Sequence, residues 1–151
     1  MTIGSNGGKW NAVKGENLAL LYARIALGAA FLSGIASRFG LYGRDAGYGN
    51  FANFEKYTAE VNAFMPASTI PFLAWAATAA ELVFGVLLIV GIWLRLVSWA
   101  SAILLALFGI AMTLSLGIKS PLDYSVFSAS AAAVLLALST PGRRKEKSSC
   151  T

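Results

Sequence analysis

The sequence predicts an all-α integral membrane protein: a four-helix up-down bundle with an additional amphipathic helix at the interface in its first outer loop. Three observations carry this. Hydrophobic residues make up 57% of the chain and charged residues 13%, against about 45–50% and about 25% in a soluble domain. A water-soluble fold would run short of polar surface. The charges gather at the two ends and between residues 38 and 60. The apolar stretches between them each approach the roughly 20 residues a helix needs to cross a bilayer core about 30 Å thick.

Taken in order, residues 1–17 form a tail that is expected on the cytoplasmic side. The first span is placed at 18–38. It is too long for the apolar region of a signal peptide and carries Arg24, so a retained helix is expected. The stretch 39–69 is too long for an idle turn. Its first part, Gly40 to Asn50, is glycine-rich loop. From Asn50 onward Phe51, Phe54, Tyr57, Val61 and Phe64 recur at helical spacing, with Asn53, Glu55, Lys56, Glu60 and Asn62 on the other face. Such a helix either anchors at the outer interface or folds over the mouth of the bundle.

The second span, 70–92, is marked by Thr69 as a cap and by Pro71 as second helical residue. The third, 94–117, follows a very short connection, which forces antiparallel neighbours. The fourth, 121–140, opens on Ser120, Pro121, Leu122 and Asp123, which reads as a capping box with proline at the first helical position. The domain thus spans 18–140, followed by a basic cytoplasmic tail over 141–151. Trp75, Trp93 and Trp99 fall near the predicted interfaces. Small residues form stripes at Ala26, Ala30, Gly34, at Ser98, Ala102, Ala106, and at Ser125, Ala129, Ala133, Ala137. In lipid, apolar burial does not drive helices together, and small residues permit close approach.

Basic residues set the orientation. Lys9, Lys14, Arg95, Arg143, Arg144, Lys145 and Lys147 fall on one side, against Arg38, Arg44, Lys56 and Lys119 on the other. The larger group is expected in the cytoplasm, giving both termini inside. The formal charge of +5 does not imply nucleic acid, because the basic residues neither share a face nor interleave with aromatics. With no histidine and a single cysteine, Cys150, the chain lacks the usual ligands for structural zinc or haem and the thiol pair of a disulfide relay. No metal site is expected.

Two ionisable residues lie well inside spans: Arg24 and Glu81. Each costs on the order of 2.5–3.5 kcal/mol near a helix centre unless compensated. At about 1.5 Å per residue, Glu81 lies roughly 16 Å and Arg24 roughly 9–12 Å from the inner ends of their spans. They are therefore expected to pair, either as a helix-registering ion pair or as a polar site for a ligand or a proton. Arg38, Asp123 and Tyr124 form a second polar cluster at the outer side, with an Asp123–Arg38 pair as one arrangement and helix capping as another role for Asp123.

Several of these segments resemble one family. The run Arg24, Ile25, Ala26, Leu27, Gly28, then Phe31, Leu32, Ser33, Gly34 and the basic Arg38, resembles the opening of DoxX-like bacterial membrane proteins. So does Ala80, Glu81, Leu82, Val83, Phe84, Gly85, ending at Gly91 with Arg95 after it. Gly49, Asn50, Phe51, Phe54 and Tyr57, and the run Pro121 to Ser130, fit the same family. Order and spacing carry the likeness, which covers roughly residues 20 to 140. The resemblance implies a four-helix bundle in the bacterial inner membrane and a link to quinone-coupled redox metabolism, with quinone as the implied cofactor. It also implies a soluble or membrane redox partner, or a homo-oligomer, beside the lipid bilayer. No residue here carries electrons, so a subunit without a catalytic centre of its own is expected. A small-solute permeation subunit and an assembly subunit are the alternatives.

Overall fold

The computed structural model describes residues 6–43, 45 and 47–140, with side chains from residue 15 onward. The basic tail with Arg143, Arg144, Lys145 and Lys147, the side chains of Lys9 and Lys14, and Arg44 lie outside the described residues. Every regular element described is helical: α1 (Asn6–Arg38), α2 (Phe51–Val61), a 3₁₀ turn (Ala67–Thr69), α3 (Ile70–Val90), α4 (Leu94–Leu116), α5 (Lys119–Asp123) and α6 (Val126–Ser139).

Three helical segments, Gly15–Arg38, Ala67–Val90 and Leu94–Leu116, are long and apolar enough to cross a membrane, and α6 is apolar but shorter. The long helices close into a ring, with α1 against α3, α3 against α4, α4 against α6, and α6 back against α1. Their exposed surface is apolar, including Leu18, Phe72, Leu96, Leu114 and Leu138, as a lipid-facing surface requires. Away from α2, the bundle is filled by Leu27, Phe31, Leu88, Val97, Ala102, Ala133 and Leu136.

The α1–α3 contact is set by two glycines. A methyl group on Gly28 would stand 2.6 Å from Ile89 Cγ1 and 2.9 Å from the Gly85 carbonyl oxygen. Only hydrogen side chains allow the backbones this close. The expected stripe through Ala26 and Ala30 is exposed instead, while those of α4 and α6 do meet: Ala102, Ala133 and Ala137 are buried. The Ser130 hydroxyl also donates to the Ala102 carbonyl at 2.8 Å.

Helix ends differ from the sequence expectation in two places. The Thr69 hydroxyl donates to the Pro66 carbonyl at 2.7 Å, and Thr69 does not cap α3 with its side chain. The fourth span is broken. Ser120 lies inside α5, whose N-cap is Ile118 and which has no side-chain cap, so the capping box is not formed. Proline fits there because first-turn amides need no intrahelical partner. The chain then turns through Tyr124 and Ser125, the latter left-handed at φ 55°, before α6 begins.

Helix α2 does have a cap, with the Asn50 side chain accepting from the Asn53 amide at 2.9 Å. Its buried residues Phe54, Thr58 and Val61 lie on one face turned to the bundle. The helix packs on α1, α3 and α4, over the end where α1 finishes and α3 starts.

Candidate functional site

Glu81 lies near the middle of α3 and is 4% exposed, and Arg38 closes α1 at 5% exposed. Arg38 Nη2 donates to both Glu81 carboxylate oxygens, at 2.7 and 2.8 Å. Nη1 donates to the Thr78 hydroxyl at 2.9 Å, and that hydroxyl donates to the Ala74 carbonyl at 2.8 Å. The guanidinium carbon sits 3.7 Å from the centroid of the Phe54 ring, which α2 supplies from above. This is cation–π distance. Nε is buried and has no hydrogen-bond partner among the described residues.

The expected Arg24–Glu81 pair is not formed, and helix register is the reason. Gly28 against Gly85 fixes antiparallel α1 and α3 so that residue 24 faces residue 89, and Gly34 faces Glu81. A methyl group on Gly34 would stand 3.5 Å from Glu81 Oε2. Arg24 is about ten residues from Gly34, roughly 15 Å along the helix. Arg38 is one turn beyond Gly34, and helical side chains lean toward the N-terminus, so its guanidinium reaches back to the carboxylate. Arg24 instead donates from Nη2 to the Ile89 carbonyl at 3.3 Å, beside the left-handed Gly91 (φ 84°) that ends α3. A cation at that end complements the helix dipole.

Arg38 and Glu81 form part of the wall of a cavity of about 350 Å³ beneath α2. Tyr48, Phe54 and Tyr57 line its upper part, Phe108 and Met112 come from α4, and Tyr124 and Val126 flank the start of α6. Tyr48 is tied to α1 through its amide, which donates to the Ser37 hydroxyl at 3.0 Å. Its ring meets Phe54 edge-on at 5.1 Å and Tyr57 at 5.4 Å. Burial, reinforced by Tyr57, raises the Tyr48 phenol well above its ordinary pKa. Burial, with Tyr124 and Glu60 nearby, raises that of Tyr57. Both phenols are neutral at physiological pH, able to donate or accept a hydrogen bond.

Of the second expected cluster, Arg38 and Tyr124 line the cavity. Asp123 does not pair with Arg38. It pairs with Lys119 one turn before it, on an exposed face. Thr78, Tyr48 and Phe54 take part in the site without having been singled out for it from the sequence. Thr78 is detectable in retrospect, three residues before Glu81 on the same face of α3. Tyr48, inside the glycine-rich loop, carries no periodic signal.

The pattern of this chain also matches a family model described as DoxX over residues 19–116, from the first span to the end of α4. No curated protein and no solved structure matches it.

Proposed function

The chain belongs to the DoxX family, and from that premise we propose that it is a subunit of quinone-linked redox metabolism in the bacterial inner membrane, with no catalytic centre of its own. Residues 18–140 are its membrane domain, and both tails lie in the cytoplasm on the strength of the basic-residue asymmetry. Helix α2 then covers the bundle on the outer side.

The observation that carries this reading is the cavity of about 350 Å³ holding the buried Arg38–Glu81 pair under α2. Ionisable residues at membrane depth are retained mainly where they serve a site. A mostly apolar cleft with a few convergent polar groups suits a small amphipathic molecule. Electrons would pass through a redox partner, since the chain offers only positioning groups. The solute-permeation alternative gains nothing from the packed core of Leu27, Phe31, Leu88 and Leu136.

The test is purification in mild detergent from native membranes, followed by solvent extraction. The expected result is quinone recovered in proportion to the protein and depleted with Glu81→Leu. Protein carrying no quinone above the lipid background would remove the reading.

A further inference from the structure

We propose that the turn joining α3 to α4 binds the phosphodiester headgroup of an anionic phospholipid, with Arg24 and Arg95 as its cations. This turn lies at the end of α3 away from α2, and the proposal does not depend on what the cavity holds. Three observations converge on it.

The first is how Arg24 is seated. Its half-buried side chain lies against the turn, where a methyl group on Gly91 would stand 2.5 Å from Nη1 and 3.1 Å from Cζ. Among the described residues its guanidinium makes one hydrogen bond, the long one from Nη2 to the Ile89 carbonyl at 3.3 Å, at an exposed position. A guanidinium carries five N–H donors, so the fork is fixed in place with donors to spare.

The second is uncompensated charge. Arg95, the second residue of α4, is exposed and stands at the N-terminal end of that helix, where a cation is disfavoured. The first turn of α4 holds no acidic residue, and its N-cap Trp93 makes no side-chain cap. Half-charges of about −0.5 at the end of α3 and about +0.5 at the start of α4 offset one another, which leaves two whole positive charges at one turn. The ion pairs among the described residues are Arg38–Glu81 and Lys119–Asp123, so neither arginine is matched by a carboxylate there. Glu16 stands eight residues before Arg24 on α1, roughly 12 Å along the helix.

The third is the surface beside the charges. Ile92, Trp93 and Leu96 are 47%, 69% and 67% exposed. They offer apolar area for acyl chains and an aromatic ring suited to headgroup level, which a soluble anion would not use. An arginine fork matches phosphate oxygens in pairs, and basic pockets between membrane helices suit phospholipid headgroups. In the orientation proposed above, this turn faces the cytoplasmic leaflet, whose surface is negatively charged.

The test uses the full-length chain in a neutral detergent, incubated with equal amounts of dioleoyl phosphatidylglycerol and dioleoyl phosphatidylcholine, with bound lipid counted by native mass spectrometry. Phosphatidylglycerol is expected to be retained about tenfold or more over phosphatidylcholine, at the lower end of what a charged hydrogen bond is worth. Arg95→Gln should cut that preference severalfold, and adding Arg24→Gln should abolish it. If the double variant does not fold, Arg95→Gln, at an exposed position, decides alone. A variant with Arg143, Arg144 and Lys145 all changed to Gln should keep the preference. Equal retention of the two lipids would overturn the proposal, as would a preference that survives Arg95→Gln or one that disappears with the tail residues. Displacement of the bound lipid by millimolar inorganic phosphate would make the ligand a soluble anion and overturn the lipid assignment.

Discussion

Arg38 and Glu81 face each other across α1 and α3 with a single guanidinium nitrogen donating to both carboxylate oxygens, at 2.7 and 2.8 Å. The pair is buried on both sides, so neither charge has water to fall back on. Removing one partner should cost more than removing both.

Arg38→Ala is accordingly expected to destabilise the bundle by about 3–5 kcal/mol, through the stranded carboxylate. The double variant Arg38→Met with Glu81→Leu should recover much of that loss, giving a large coupling energy in denaturation by strong detergent. Arg24→Ala combined with Glu81→Leu should be additive, since those residues do not meet. Coupling at Arg24 and additivity at Arg38 would reverse the assignment.

The α1–α3 interface should be equally sensitive to a single methyl group. Gly28→Ala places a carbon 2.6 Å from Ile89 and 2.9 Å from the Gly85 carbonyl, and overpacking of this kind costs about 1–3 kcal/mol. Ala26→Gly, at an exposed position of the same helix, should lose only about 0.5–1 kcal/mol through the backbone. Thermal unfolding of the two variants in one detergent compares them directly, and equal losses would show that the helices do not meet at Gly28.

At the start of the fourth span, the exposed Lys119–Asp123 pair and the uncapped Ser120 predict little effect. Asp123→Ala should cost about 0.3–0.5 kcal/mol, as for an exposed pair one turn apart, and Ser120→Ala should be within about 0.5 kcal/mol of neutral. A loss above about 1 kcal/mol at either position would indicate the capping box that the sequence suggests.

The cover formed by α2 and the loop before it should fail in alkali. Burial raises the Tyr48 and Tyr57 phenols above their ordinary pKa of about 10. Below that value both states hold the proton and stability does not vary with these groups. Above it the unfolded segment releases protons first, so stability falls as pH climbs toward the folded values. Phenolate absorbance should therefore rise late in the native protein, and Tyr48→Phe should shrink the late-titrating fraction. An unshifted titration of all five tyrosines would contradict the packing under α2.

The chain by itself determined the solvent and the helices. Composition and long uncharged runs leave only a helical membrane fold, and the spacing of Phe51, Phe54 and Val61 marks α2, because one periodicity decides which face of a helix is apolar. Glu81 was legible for the same reason, as a charge too costly to leave alone in lipid. Its partner was not. Choosing between Arg24 and Arg38 requires the register of two antiparallel helices. That register is set by the approach of Gly28 to Gly85 and by the N-terminal lean of a side chain one turn beyond Gly34. Nor could the sequence tell that Tyr48 would line the cavity from an aperiodic loop. Local patterns carry information along one helix, whereas Arg38 meets Thr78 and Glu81 across 40 and 43 positions of sequence, and only the packed structure decides such contacts.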